Sequence, residues 1–199
     1  MAYRTSEQHS ADCVAFPFES IPRRVFLDTN IVDCVVKHSE CVFEGIAPRN
    51  DMPAQLASDV TSLRHIFAAG SRAQWDILVS DKTIEEVSKT PDPFLRSQLI
   101  GYGVELVGYG TANGTVEEDR RFARDFARRA RDSSFLEALP HPDDRTLLAE
   151  AIALGCDVFC TRDLKSIHRK RHLLRQIPLR ILTPDEWWHH IRPWAGLWL

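Results

Sequence analysis

Short apolar runs alternate with helical patterns along this chain, and this alternation constrains the fold more than any other feature. The runs that we predict as strands are 25–27, 76–79, 104–107, 158–160 and 179–182. The segments that we predict as helices are 55–69, 82–89, 116–131, 144–154 and a short last helix opened by 183–186. Strands separated by helices pair in parallel through crossover connections. Because the strands are apolar on both sides, helices are expected on both faces of the sheet. The sequence therefore predicts an α/β fold, a three-layer α/β/α sandwich with a central parallel sheet of four or five strands.

Two local signals refine this prediction. Gly70 is predicted to end the first of these helices, and the Asn113-Gly114 pair is predicted to form a turn after the third strand.

The patterning also predicts one domain with an extension at each end. Residues 1–22 are polar and unpatterned, which predicts a flexible or loosely docked N-terminal extension, and the strand and helix pattern fills 23–186. Residues 187–199 form a tail that carries four of the five tryptophans. An aromatic-rich end is expected to dock on its own domain, with a homodimer or another protein partner as the alternative.

The composition is typical of an ordinary globular protein. Charged residues make up 27% of the chain and hydrophobic residues 44%, with a net charge of −3, which excludes the disordered and fibrous classes. No apolar run reaches the ~18 residues that span a bilayer, and no secretory signal is evident at the N-terminus. We therefore expect a cytoplasmic protein without membrane contact. The five cysteines contain no CxxC pair, which favours reduced thiols over a zinc site.

Acidic residues stand where the predicted strands end or where the next helix begins. They are Asp28, Glu85, Glu86, Asp143, Asp144 and Asp163. Ligands of open α/β sheets bind at the carboxyl ends of the strands. Two carboxylates about 4 Å apart repel by about 4 kcal/mol at an effective dielectric constant near 20, so a cluster of them needs protons or a cation. Carboxylates without His or Cys suit Mg²⁺ or Mn²⁺, and such ions assist phosphodiester hydrolysis.

Each acid also has an ordinary structural explanation. Asp143 or Asp144 could cap the helix that follows Pro142, and Glu85 and Glu86 could be solvated helix residues. Asp28 is harder to explain in this way, because it directly follows an apolar strand expected to be central. The combination of acids is what favours a functional site.

Four segments of the chain resemble the motifs of the PIN-domain nucleases. They are VFLDTN at 25–30, VSDKTIEEV at 79–87, DRTLLAEAIALG at 144–155 and VFCTRD at 158–163, and ILTPDE at 181–186 resembles the usual close of that domain. The family's second motif places its acid six residues after the strand-end Ser80, which selects Glu86 over Glu85. The register of the third motif selects Asp144 over Asp143.

This resemblance implies a PIN-like sheet and an endoribonuclease that hydrolyses RNA with metal-activated water. It implies that Mg²⁺ or Mn²⁺ is held by four carboxylates, those of Asp28, Glu86, Asp144 and Asp163. It also implies that Asn30 and Thr161 are supporting polar residues. A toxin role, with an antitoxin as protein partner, belongs to the same family interpretation.

A basic segment follows the fourth motif. Residues 162–175 hold six Lys or Arg, two His and one Asp. Beside a metal site such a segment would bind RNA phosphates, although a solvated basic helix explains it equally well. The RNA-binding candidates are Arg162, Lys165, Arg169, Lys170 and Arg171.

Two other functions stay open at the level of sequence. A phosphatase resembling the haloacid dehalogenase family would use Asp28 as nucleophile and would need a second Asp two residues later, where this chain has Asn30. A non-catalytic nucleic-acid-binding PIN-like domain usually lacks one of the four acids, and all four are present here. The sequence therefore favours the metal-dependent ribonuclease.

Overall fold

A computed structural model describes residues 5–112 and 117–198 of the chain. The strands are β1 (Arg24–Leu27), β2 (Asp76–Leu78), β3 (Val158–Cys160) and β4 (Arg180–Leu182). The helices are α1 (Ser6–Ala15), α2 (Thr29–Lys37), α3 (Ser39–Phe43), α4 (Ala54–Ala73), α5 (Asp81–Val87), α6 (Pro93–Ala112), α7 (Glu117–Ala130), α8 (Pro142–Ala153), α9 (Ile167–Lys170) and α10 (Pro184–Ile191). Short 3-10 helices span Phe18–Ser20, Arg171–Leu173 and Arg192–Leu197. Within these described ranges, no helix has both the length and the apolar character needed to cross a membrane.

The four strands form one sheet with the order β2-β1-β3-β4, and every pair is parallel. The predicted α/β class with a parallel sheet is therefore confirmed. Strands β1 and β3 lie in the centre, with Val25 opposite Val158 and Phe26 opposite Phe159. Strand order changes direction between β1 and β3, and open α/β sheets bind their ligands at such a switch point.

Helices pack on both faces of the sheet because alternate strand residues point to opposite sides. Val25 and Leu27 of β1 belong to a core shared with α2, α4, α6 and α10. Phe26 points the other way, stacks on Phe159 at 5.5 Å between ring centroids, and joins a core shared with α7 and α8. Two apolar layers of this kind are compatible with a three-layer sandwich.

The prediction of a strand at 104–107 is wrong, because this segment lies inside α6. Val104, whose β-propensity suggested a strand, is 55% exposed, whereas Leu99 and Leu106 are buried at a helical spacing. Gly103 lets α6 approach α5 closely, since a Cβ atom there would lie 2.4 Å from Ile84 Cδ1. Packing of the helix face thus outweighs local strand preference.

Two other local predictions have different outcomes. Helix α4 does not stop at Gly70, which is buried against Trp75, but continues to Ala73. The helix ends instead at Gln74, which adopts a left-handed conformation with φ of 54°. The predicted Asn113-Gly114 turn lies outside the described residues.

The two ends of the described chain contact each other. The N-terminal segment forms helix α1, and His9 Nε2 lies 2.8 Å from the carbonyl oxygen of Pro193. The indole N–H of Trp194 donates to the carbonyl oxygen of Phe16 at 2.8 Å. Of the C-terminal tryptophans, Trp187 is buried within α10 in the larger core.

Candidate active site

The site is built around Asp28, which follows β1 directly and lies at the switch point of the sheet. The Asp28 side chain is buried, with the residue 5% exposed. Its Oδ2 accepts hydrogen bonds from Thr161 Oγ1 at 2.5 Å and from Asn30 Nδ2 at 2.6 Å. Thr161 follows β3, the strand next to β1, so the hydrogen bond joins the two central strands at their carboxyl ends.

Asn30 is held in a single orientation by three contacts. Its amide group donates to Asp28 and lies 3.2 Å from Thr161 Oγ1, while its Oδ1 accepts the backbone N–H of Arg162 at 2.8 Å. The Thr161 oxygen also accepts the backbone N–H of Asp163 at 2.9 Å. With its acceptor positions occupied, the Thr161 hydroxyl proton points to Asp28. The two residues predicted as supporting groups therefore lie beside Asp28 and orient its carboxylate.

Glu86 faces the site from α5, and its neighbour Glu85 faces solvent. The Thr29 hydroxyl donates a short hydrogen bond to Glu86 Oε2. Glu85 is instead exposed and forms ion pairs with Lys82 at 3.2 Å and Lys89 at 2.8 Å. Of these two acids, Glu86, which the motif resemblance selected, is therefore the one that faces the site.

The same division holds for the acid pair at the start of α8. Asp144 Oδ2 lies 3.3 Å from Ser166 Oγ, and this hydroxyl also makes a short hydrogen bond to Asp163 Oδ2. Asp143 is 60% exposed in its side chain and pairs with Lys82 at 2.9 Å. One serine hydroxyl therefore links two of the four predicted metal ligands.

Asp163 is held differently from the other three acids. Its Oδ1 accepts the backbone N–H groups of Lys165 at 3.0 Å and Ser166 at 2.9 Å. Burial alone would raise the pKa of Asp163, but these hydrogen bonds and that of the Ser166 hydroxyl bring it below its ordinary value. Asp163 therefore stays ionised and positions Ser166 at the start of α9.

The remaining three carboxyls are destabilised as anions. Burial raises the pKa of Asp28 from 3.8 to about 7, and the nearby charges of Asp144 and Glu86 add to this effect against the hydrogen bond from Thr161. Burial is also the main cause that raises the pKa values of Glu86 and Asp144. A cation beside these three carboxyl groups would lower their pKa values again, because an opposite charge favours the ionised form.

The donor set suits a hard divalent ion. The side chains that meet here offer carboxylate and hydroxyl oxygens, which Mg²⁺ and Mn²⁺ prefer. Among residues 5–112 and 117–198, however, no three acidic, histidine or cysteine side chains come close enough together to hold an ion as they stand. Mg²⁺ commonly keeps several waters and takes only one or two carboxylates directly. Asp144 and Asp163, which share the Ser166 hydroxyl, meet that requirement.

Three of the five predicted RNA-binding residues are engaged in contacts within the chain. Arg162 Nε pairs at 2.9 Å with the buried carboxylate of Asp59. Lys170 Nζ donates to a backbone carbonyl oxygen at 2.9 Å, and Arg171 pairs with a carboxylate of α10 at 2.7 Å. Lys165 and Arg169 are exposed.

Thr29 and Ser166 are site residues that the sequence analysis missed. Thr29 stands within the D-T-N motif, and Ser166 follows Asp163 by three residues at the start of a helix. Both positions could have been found as hydroxyls adjacent to a predicted acid. Their partners, Glu86 and Asp144, come from distant parts of the sequence and appear only in the fold.

Comparisons of the chain with protein-family models, with curated proteins and with solved structures found no match.

Proposed function

We propose that this chain is a metal-dependent endoribonuclease with a PIN-like fold. The observation that carries the proposal is the electrostatic coupling at the carboxyl ends of the central strands, where the charges of Asp144 and Glu86 act on Asp28 and burial raises the pKa of each of the three. A cation that neutralises these groups and binds phosphate oxygens would make the cluster stable as well as reactive. The motif resemblance supports RNA as the polymer that is cut.

In this proposal Asp28, Glu86 and Asp144 hold Mg²⁺ or Mn²⁺, and Asp163 acts on the same site through Ser166. When bound, the metal would stabilise negative charge on the phosphate and lower the pKa of an attacking water. The chain's own contribution is orientation.

The carboxylates of Asp28 and Glu86 are each held by a hydroxyl or amide group. Thr161 and Asn30 fix the direction of the Asp28 carboxylate, and the Thr29 hydroxyl fixes that of Glu86. Preorganised carboxylates of this kind avoid reorganisation during the reaction. Water is the nucleophile in this proposal, so the protein carries no covalent phosphate during turnover.

The geometry does not favour the phosphatase alternative. That chemistry would need an acid two residues after Asp28 to protonate the leaving group. Asn30 occupies the position, and its amide is bound to Asp28 and close to Thr161.

A cleavage assay with paired variants tests the proposal. Purified chain is incubated with end-labelled single-stranded RNA in Mg²⁺, Mn²⁺ or EDTA, beside Glu86→Gln and its matched control Glu85→Gln. We expect metal-dependent cleavage that Glu86→Gln reduces by at least about 100-fold, the usual scale for an essential catalytic group, and that Glu85→Gln leaves intact. Equal loss in both variants, or cleavage that persists in EDTA, would contradict the proposed site.

A further inference from the structure

A cavity with a strongly basic lining lies along β4, the strand at one edge of the sheet. Its volume is about 610 Å³, within the range of cavities that bind small molecules or single groups of a polymer. Its lining includes Arg171, Arg175, Arg180, Glu186, His189 and His190, together with the ring of Phe16.

The charged side chains that line the cavity are three arginines and one glutamate, so positive charge predominates there. The carboxylate in its lining belongs to Glu186, which already pairs with Arg171 at 2.7 Å and with His168 at 3.0 Å. Arg175 is exposed and Arg180 is half-buried, and within the described parts of the chain neither makes a side-chain hydrogen bond or an ion pair. The charge of Asp157 acts on Arg180, but the Asp157 carboxylate makes its hydrogen bonds with the backbone N–H groups of Arg23 and Arg24.

One buried atom also lacks a partner at this place. His190 Nδ1 is fully buried, and no hydrogen-bond partner for it exists among the described residues. The His190 ring contacts Phe16 edge-to-face at 4.8 Å between centroids. The buried Nδ1 atom is out of reach of a ligand in the cavity, so the argument for a ligand rests on Arg180. A half-buried guanidinium without a partner favours an anion.

The structure favours a nucleic acid over an added peptide strand. Ile181 lies at the free edge of β4, and its carbonyl oxygen, which a peptide strand would need, already accepts Arg171 Nη1 at 3.2 Å. The remaining lining combines cations with the aromatic ring of Phe16 and apolar side chains. Proteins that bind single-stranded nucleic acid use this combination of charge and aromatic surface.

The cavity is also close to the candidate active site. The Asp163 backbone carbonyl accepts the N–H of His168 at 3.0 Å, and His168 in turn contacts Glu186 in the cavity wall. Seven residues, 164–170, separate Asp163 from Arg171, and the four that form helix α9 span about 6 Å. A strand held in one site could therefore extend into the other.

We propose that this cavity is a phosphate subsite, in which Arg175 and Arg180 bind a backbone phosphate of an RNA strand whose scissile bond lies at the carboxylate cluster. The proposal rests on the proposed function for the identity of the polymer. It extends RNA affinity from the basic segment 162–175, which contains Arg175, to Arg180, which lies outside that segment.

RNA binding without cleavage tests the subsite. The probe is fluorescein-labelled single-stranded RNA, titrated with the full chain carrying Asp28→Asn so that the RNA stays intact. In this background Arg175→Gln with Arg180→Gln is compared with Arg121→Gln with Arg129→Gln, which removes two exposed arginines from α7. We expect the first pair to weaken binding by about tenfold or more, since hydrogen bonds to charged groups contribute on this scale. The slope of log affinity against log salt should fall by about 1, and the control pair should change neither quantity.

Further arms separate the other outcomes. Arg175→Gln alone removes an exposed side chain, and it should weaken RNA binding in the same direction even where loss of Arg180 prevents folding. Equal RNA affinity in the cavity and control pairs would overturn the proposal. In a further arm, AMP replaces RNA as the probe. Loss of AMP binding in the cavity pair with unchanged RNA affinity would also overturn the proposal, because the ligand would then be a free nucleotide.

The proposed nuclease activity is tested separately, by measuring RNA cleavage with the unsubstituted chain. A binding defect in the cavity pair without any cleavage would support the subsite and refute the nuclease. Cleavage without a binding defect would do the reverse.

Discussion

Replacement of Asp28 by Asn should stabilise the metal-free protein above neutral pH, although it removes the central acid of the site. The pKa of Asp28 rises from 3.8 to about 7 in the folded chain, and each pKa unit corresponds to about 1.4 kcal/mol. The ionised side chain therefore costs up to about 4 kcal/mol. Relaxation and water entry reduce such penalties, so we expect Asp28→Asn to raise the free energy of unfolding by about 2 kcal/mol at pH 8. Asn can keep its oxygen at the position that accepts from Thr161 and Asn30.

The stability difference between Asp28→Asn and the wild type should depend on pH, because Asp28 loses its proton at different pH values in the folded and unfolded chains. Below about pH 4 Asp28 is protonated in both the folded and unfolded chains, so Asn should give no advantage. Between pH 4 and 7 only the folded chain keeps the proton, and wild-type stability falls as the pH rises. The advantage of Asp28→Asn should therefore appear across this window and stay constant above pH 7.

Urea unfolding in EDTA at pH 4, 6 and 8 measures the effect, with Asp143→Asn as the exposed control. Adding Mg²⁺ at pH 8 should then stabilise the wild type and leave Asp28→Asn unchanged, because a ligand of the folded state adds to its stability. A gain that is equal at pH 4 and pH 8, or a loss of stability at pH 8, would refute the electrostatic reasoning.

Three other substitutions test hydrogen bonds and ion pairs elsewhere in the chain. Burial would raise the pKa of Glu186, but hydrogen bonds led by that of Arg171 lower it to about 2. After discounting for its 35% exposed side chain, Glu186→Gln should cost about 1 kcal/mol in urea unfolding at pH 7. The difference should fade as the pH drops from 4.5 toward 2. Asp59→Asn should cost about 3 kcal/mol in the same assay, because it leaves the Arg162 guanidinium without its buried partner. Trp194→Phe removes one hydrogen bond, worth about 1 kcal/mol, and amide exchange in α1 should become faster.

The strands were predictable from sequence because their signal is local. The apolar run at 25–27 can be buried only between two helical layers, and it corresponds to β1. The run at 104–107 has similar residues, but its neighbour Gly103 packs against α5, and contacts between distant segments make it helical. A pattern within the segment cannot contain that information.

Some features of the candidate site were likewise predictable from the local sequence, and others were not. The D-T-N motif places Asn30 beside Asp28 through contacts within one turn, so the pair can be anticipated from the sequence. Which acid of the Glu85–Glu86 pair turns inward depends on the orientation of α5, and only the motif resemblance indicated it. The basic residues were least predictable, because Asp59, the partner of Arg162, is far away in sequence.

The central claim is that the carboxylates of Asp28, Glu86 and Asp144, near the carboxyl ends of the central strands, hold a divalent cation. Calorimetric titration of Mn²⁺ into the folded chain at pH 8 tests it most directly, with Asp144→Asn beside its outward-facing control Asp143→Asn. We predict that the wild type and Asp143→Asn bind Mn²⁺ alike and that Asp144→Asn loses most of the affinity. Absence of binding in the wild type, or equal binding in both variants, would contradict the claim.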